Sequence, residues 1–131
     1  MSKRFYPAVF TEENEGGYSV SFPDLPGCFT EGNTLEQAHA MAVDAIGLYI
    51  HQEDGQVKLP RVSDPKQIKV GTNEFVALIE FDLLDYLKKH DPTLIKKTLT
   101  IPAWVNQAGE RNGINFSATL TEAVIEKLDR A

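Results

Sequence analysis

This chain of 131 residues contains one cysteine, Cys28. A lone thiol excludes an intramolecular disulfide and any cysteine-based zinc cage. No apolar run approaches the ~20 residues that a membrane span needs. The start, Met1-Ser2-Lys3-Arg4-Phe5-Tyr6-Pro7, lacks the apolar core of a signal peptide. A cytoplasmic protein of bacterial type is the expectation. Base is scarce as well: 13 Lys and Arg stand against 19 Asp and Glu, a net charge of −6. That sign is unfavourable for a nucleic-acid partner. The imbalance is uneven, however. Residues 1–94 hold fifteen acids against eight bases, net −7, whereas residues 95–131 hold four against five, net +1. An acidic front suits a basic protein partner and disfavours direct contact with nucleic acid. The apolar content, 42%, is ordinary for a globular chain, and the length allows one domain plus a small second one.

Catalytic patterns are also missing. Metal-dependent nuclease chemistry needs several carboxylates converging on one spot, but Glu12, Asp24, Glu31 and Glu80 are scattered over turns and strand ends. His39 and His51 lie too far apart on one helical stretch to share a ligand, and His90 stands beside a linker. No nucleophile elbow, Gly-rich phosphate loop or Cys/His pair is present. The sequence makes no case for an enzyme, a metal or a cofactor.

What is present falls into two patterns. Residues 4–11 read as a strand with Tyr6, Ala8 and Phe10 on one face; Pro7 cannot donate to a ladder and suggests an edge or a bulge. The polar stretch from Glu12 to Gly17 is a turn, and Tyr18-Ser19-Val20-Ser21-Phe22 alternates as a half-buried strand, so the two pair as a hairpin. Pro23-Asp24-Leu25-Pro26-Gly27 is a rigid turn, and Cys28 to Glu31 is a third short strand. Thr34-Leu35-Glu36-Gln37 is a capping box. It opens a helix to about Gln52 whose apolar stripe is Leu35, Ala38, Ala42, Ala45, Ile46 and Tyr49, with Glu36, Val43 and Asp44 on other faces. Gly55 to Gly71 reads as loop. Glu74 to Phe81 is the most apolar segment and reads as an interior strand. Asp82 caps a short helix from Leu83 to Lys89, and Asp91-Pro92 breaks it. The front is thus β-β-β-α-β, an α+β fold.

The tail reads as Lys96 to Ile101 as a strand, then a helix opened by Pro102 and ended by Gly113, then a second helix capped by Asn115 or Ser117. The first helix carries Trp104, Val105 and Ala108. The second turns Phe116, Leu120, Val124 and Leu128 inward. Gly109 suggests a close helix approach in a dimer. One strand lacks half its backbone partners, and so short a segment cannot close a core alone. A second copy resolves both problems by pairing the strands into a ribbon, which fits a DNA major groove. Lys96, Thr98 and Thr100 then face outward to the bases. The helix start at Asn115, Phe116 and Ser117 offers backbone N–H groups to a phosphate. Leu99 and Ile101 face the core, as does Lys97, whose stem can snorkel. Two such dimers side by side would read a longer inverted repeat.

Tyr6-Pro7-Ala8-Val9-Phe10, the run from Gly17 through Pro23-Asp24-Leu25-Pro26-Gly27-Cys28, Thr30-Glu31-Gly32, and the helix start Thr34 to Ala38 resemble the HicB antitoxins. The tail, Lys96 to Pro102 with Gly113-Ile114-Asn115-Phe116-Ser117, resembles the subset ending in a ribbon-helix-helix domain. The resemblance implies a degenerate RNase H-like domain over residues 1–90, a linker at 91–95 and a ribbon-helix-helix domain over 96–131. It implies a type II antitoxin that binds a HicA-type mRNA interferase toxin and represses its own operon as a homodimer, or as a tetramer or larger assembly with toxin. No membrane is involved. Candidate toxin contacts are Asp24, Leu25, Cys28, Glu31, Glu36 and Asp44, although Pro23, Pro26 and Gly27 also read as shaping that turn. The competing readings are a stand-alone transcriptional regulator, whose front senses a ligand or another protein, and a residual metal-dependent nuclease.

Overall fold

The computed structural model describes residues 3–51 and 59–130. These form strands β1 (Lys3–Glu12), β2 (Tyr18–Ser21) and β3 (Phe29–Gly32), helix α1 (Leu35–Ile50), strand β4 (Glu74–Asp82), and helices α2 (Leu83–His90), α3 (Ala103–Arg111) and α4 (Phe116–Arg130). A single 3-10 turn, Pro65–Gln67, interrupts the loop before β4. The expected helix end near Gln52 and loop start at Gly55 lie outside the described residues; the described helix ends at Ile50. The chain divides into two compact units, residues 3–86 and 87–130. The division falls inside α2 rather than at the expected 91–95 linker.

In the front unit the four strands are antiparallel throughout, in the order β3-β2-β1-β4. Alternation decides the inner face. Tyr6, Ala8 and Phe10 of β1, Val20 of β2, and Ile79 and Phe81 of β4 are all buried. The ring of Phe10 stacks on Phe75 at a centroid distance of 5.2 Å. The apolar run of β4 suggested an interior position, but β4 is an edge strand. Its two-sided apolar character therefore comes from its own outward-facing residues and not from strands on both flanks. Pro7 shows the converse. Its strand is interior, yet the β1–β2 ladder runs only from Val9 to Glu12, so at Pro7 the missing N–H faces no β2 partner.

Helix α1 covers the inner face. Its start is a capping box: Thr34 Oγ1 accepts from Gln37 N–H at 3.1 Å, and Gln37 Oε1 accepts from Asn33 N–H at 2.6 Å. The buried row is Ala38, Ala42, Ile46 and Ile50, joined by Gly47. Leu35 and Tyr49, expected on that stripe, are exposed. The strict four-residue spacing wins because small residues let the helix approach closely. At Gly32, an added Cβ would stand 2.3 Å from the Ala38 backbone nitrogen; at Gly47, it would stand 2.1 Å from the Tyr86 ring. The Pro23–Gly27 turn folds inward. Leu25 N–H donates to the Phe22 carbonyl at 3.1 Å, Cys28 N–H donates to the Leu25 carbonyl at 3.0 Å, and Gly27 takes φ +85°.

The tail unit is two helices joined by a tight reversal. Gly113 (φ +67°) donates to the Glu110 carbonyl at 3.1 Å and Ile114 donates to the Gly109 carbonyl at 2.9 Å, a Schellman closure. Asn115 caps α4, its Oδ1 accepting from Ala118 N–H at 3.1 Å. Gly109 allows a close approach, but within one chain: a Cβ there would meet the Phe116 ring at 2.5 Å. The expected strand from Lys96 to Ile101 is absent, since residues 91–102 carry no helix or strand. A strand exists only with a ladder partner, and the described residues supply none here.

Two stability changes follow. Thr34→Ala should lower unfolding free energy by about 1 kcal/mol through loss of the cap. Gly47→Ala should cost roughly 1–3 kcal/mol by driving a methyl into Tyr86. Urea unfolding of each variant checks both; an unchanged midpoint for Gly47→Ala would refute the described packing.

Candidate functional site

Among the described residues no three His, Cys, Asp or Glu side chains converge as a metal ion would require. No helix among them is long and apolar enough to cross a membrane.

The six candidate residues of the front separate by environment. Asp24 is engaged in the fold: Oδ2 accepts from Ser63 N–H at 2.8 Å and Oδ1 accepts a short hydrogen bond from Ser63 Oγ. With the Tyr6 hydroxyl donating to the Pro60 carbonyl at 2.8 Å, it pins residues 60–63 to the turn and the first strand. Leu25 and Cys28 are core residues, because the proline-fixed turn folds inward. Cys28 Sγ donates to the Ala45 carbonyl at 3.5 Å, and burial pushes its thiol pKa up. As side chains, Leu25 and Cys28 present no surface to a partner, contrary to expectation. Glu31, Glu36 and Asp44 are exposed. Glu31 stands on β3, whereas Glu36 and Asp44 stand on the solvent side of α1.

The outer face of the sheet, which sequence reasoning did not single out, is apolar where an open antiparallel face is normally polar. Phe29 is 72% exposed, Leu78 50% and Phe5 48%. Val9 and Val76 lie opposite one another between them and are half-buried. The signal was legible in part: Phe5-Tyr6-Pro7-Ala8-Val9-Phe10 and Phe75 to Phe81 are apolar on both phases of the strand period.

In the tail unit Lys96, Thr98 and Thr100 are exposed. The α4 start brings Asn115, Phe116 and Ser117 together, but in different roles. Asn115 is the cap, the Phe116 ring lies against Gly109, and the first-turn amides of Phe116 and Ser117 precede any intrahelical partner. Neither α3 nor α4 has a buried residue. An open groove of about 590 Å³, lined by Ile101, Trp104, Val105, Ile114 and Phe116 among others, runs along their apolar side. Leu120, Val124 and Leu128, expected to face inward, continue that exposed side along α4.

Both units thus have the build of a binding protein. Residues 6–124 match the family described as "HicB_like antitoxin of bacterial toxin-antitoxin system". A protein of Haemophilus phage HP1 (strain HP1c1), described as an uncharacterized 14.9 kDa protein in the rep-hol intergenic region, is 35% identical over 104 residues, 75% of this chain and 73% of that protein. Antitoxin HicB 1 of Photorhabdus laumondii is 51% identical over 41 residues, 31% of this chain and 26% of its own length. Among solved structures, a chain of a toxin–antitoxin complex from Streptococcus pneumoniae is 31% identical with a TM-score of 0.57, covering 95% of this chain and 99% of that one. The chain belongs to the HicB-like antitoxin family. An antitoxin acts by neutralising a toxin and not by catalysis, so the chain is a binding protein rather than an enzyme.

Glu74 gives this region a pH signature. Its carboxylate accepts from Gly71 N–H at 2.8 Å and from Thr11 Oγ1 at 3.0 Å. These bonds, the backbone one first, hold its pKa below the usual carboxylate value. The stability it contributes is complete above its unfolded pKa and is lost as pH falls through the lower folded one. Thr11→Val should move the Glu74 titration upward, as read by NMR of its side-chain carboxyl carbon. Asp24→Ala should release residues 60–63, raising their amide exchange while leaving α1 protected; unchanged exchange would remove the anchoring role given to Asp24.

Proposed function

We propose that the chain is the antitoxin of a type II toxin–antitoxin pair and has two separate binding tasks in the cytoplasm. The front, a degenerate RNase H-like domain, binds and neutralises a small basic ribonuclease of the HicA type. The tail dimerises as a ribbon-helix-helix domain and represses the operon that encodes the pair. Family membership supports the first task, together with the front's net charge of −7, which complements a basic toxin. Of the acids expected to meet the toxin, Glu31, Glu36 and Asp44 are exposed, on two different faces of the unit.

The observation that carries the second task is the tail's unburied apolar row. Trp104, Ile114, Phe116 and Leu120 of one chain remain exposed, and a unit this small cannot hold itself together without burying them. A second copy covers them and supplies the missing ladder to Lys96–Ile101. In that ribbon the outward phase is Lys96, Thr98 and Thr100, facing base edges in the major groove. The α4 first-turn amides, at Phe116 and Ser117, clamp a phosphate with the cap Asn115 holding the turn. Toxin occupancy of the front tunes operator affinity if the two states differ in it.

The double variant Thr98→Ala/Thr100→Ala tests the division of labour. Operator binding measured by fluorescence anisotropy should weaken by about 1–3 kcal/mol per lost base contact. Toxin neutralisation in a growth assay should be unchanged. Loss of both activities together, or of neither, would contradict the two-task reading. The logarithm of operator affinity should also fall linearly with that of salt concentration; a flat response would contradict phosphate contact.

A further inference from the structure

We infer that the open face of the front sheet, and not the solvent side of α1, is where the basic toxin docks. The inference rests on the antitoxin reading above and assigns a face to it. The strand register builds this surface. Phe29 lies opposite Ser21, Ser21 opposite Val9, and Val9 opposite Val76, so one row crosses all four strands. Pro7, itself buried, lies opposite Leu78, and Phe5 lies opposite Glu80, in the next rows on β1 and β4. The centre is apolar on alternate positions of β1, β3 and β4, whereas the inner face is already filled by α1. A sheet face left to water keeps polar residues at such positions; this one carries the build of an interface core.

The rim of the face states the partner's charge. Glu31 and Glu74 lie at one end of the rows and Glu80 at the other, with Lys3 paired to Glu80 at 3.1 Å. Three carboxylates against one ammonium leave the rim negative. A second copy would bring its own carboxylates against these, whereas a basic protein neutralises them. The solvent side of α1 offers less. Its exposed large apolar side chains are Leu35, Met41, Leu48 and Tyr49, but Leu35 and Tyr49 stand at opposite ends of the helix and the acids Glu36 and Asp44 interrupt the set, whereas hot spots of binding need clustered, desolvated anchors. Of the exposed acids, Glu31 is therefore placed at the interface while Glu36 and Asp44 are outside it.

The test uses the full-length chain and a purified basic toxin of the HicA type, with binding read by isothermal titration. Phe29→Arg/Leu78→Arg puts positive charge on exposed positions and should weaken toxin binding by on the order of 30-fold or more. Glu31→Lys should weaken it in the same direction. Glu36→Lys/Asp44→Lys should bind as the unaltered chain does. Thermal unfolding of each variant verifies folding, and Phe29→Ser replaces the first variant if that one unfolds. The reverse pattern, with loss only in the α1 variant, overturns the face. So does an altered sedimentation coefficient of Phe29→Arg/Leu78→Arg without toxin, because the occupant would then be a second copy. Unchanged amide exchange of β1 and β4 on adding toxin overturns it as well. Failure of the unaltered chain to bind any such toxin instead refutes the antitoxin reading itself.

Discussion

The constraint on which the structure depends is apolar surface that one chain cannot bury. The front unit satisfies it on one side only. Ala38, Ala42, Ile46 and Ile50 lay α1 flat on the sheet, and Tyr6, Phe10, Ile79 and Phe81 close the inner layer beneath it. The opposite side keeps Phe5, Phe29 and Leu78 in water. The tail unit buries no residue of its apolar side fully. Each exposed apolar area imposes a solvation cost that association removes. For a protein of the antitoxin family this is a physical reason for binding to be its activity. The chain folds its sheet and helix, yet leaves apolar surfaces that the proposed partners would complete.

Charge sorts those surfaces. The acids collect in the front and the tail is close to neutral, slightly basic. On the open sheet face the carboxylates stand at the ends of apolar rows, so apolar contact supplies affinity while charge selects the partner and speeds encounter. In the tail two of the five bases, Lys96 and Lys97, sit with threonines on the segment proposed to meet DNA. The net charge of the whole chain conceals this arrangement, because the two units are averaged together.

Much of the fold was legible in the sequence where the deciding physics is local. The Thr34/Gln37 capping box, the alternation of Tyr18–Phe22 and the Gly113 reversal each depend on residues a few positions apart. What was not legible depends on distant partners. The two-sided apolar pattern of β4 suggested an interior strand, and only the sheet order shows that it is an edge with an open face. Asp24 read as a surface acid because its partner, Ser63, lies 39 residues away. Leu25 and Cys28 read as turn surface because nothing local says that the turn folds inward. The stripe of α1 was placed out of phase at Leu35 and Tyr49 because the sheet, not the helix, chooses the closest row. At Lys96–Ile101 the described residues supply no ladder partner, and the one proposed belongs to a second copy.

The measurement that bears most directly on this account is the mass of the full-length chain in solution across a concentration series, by sedimentation equilibrium, with Ile101→Asp/Leu120→Asp as the comparison. The account requires a dimer or an even-numbered assembly that dissociates to folded fronts when those two exposed tail residues are made acidic. A monomer at every concentration, with α3 and α4 still helical by circular dichroism, would contradict it.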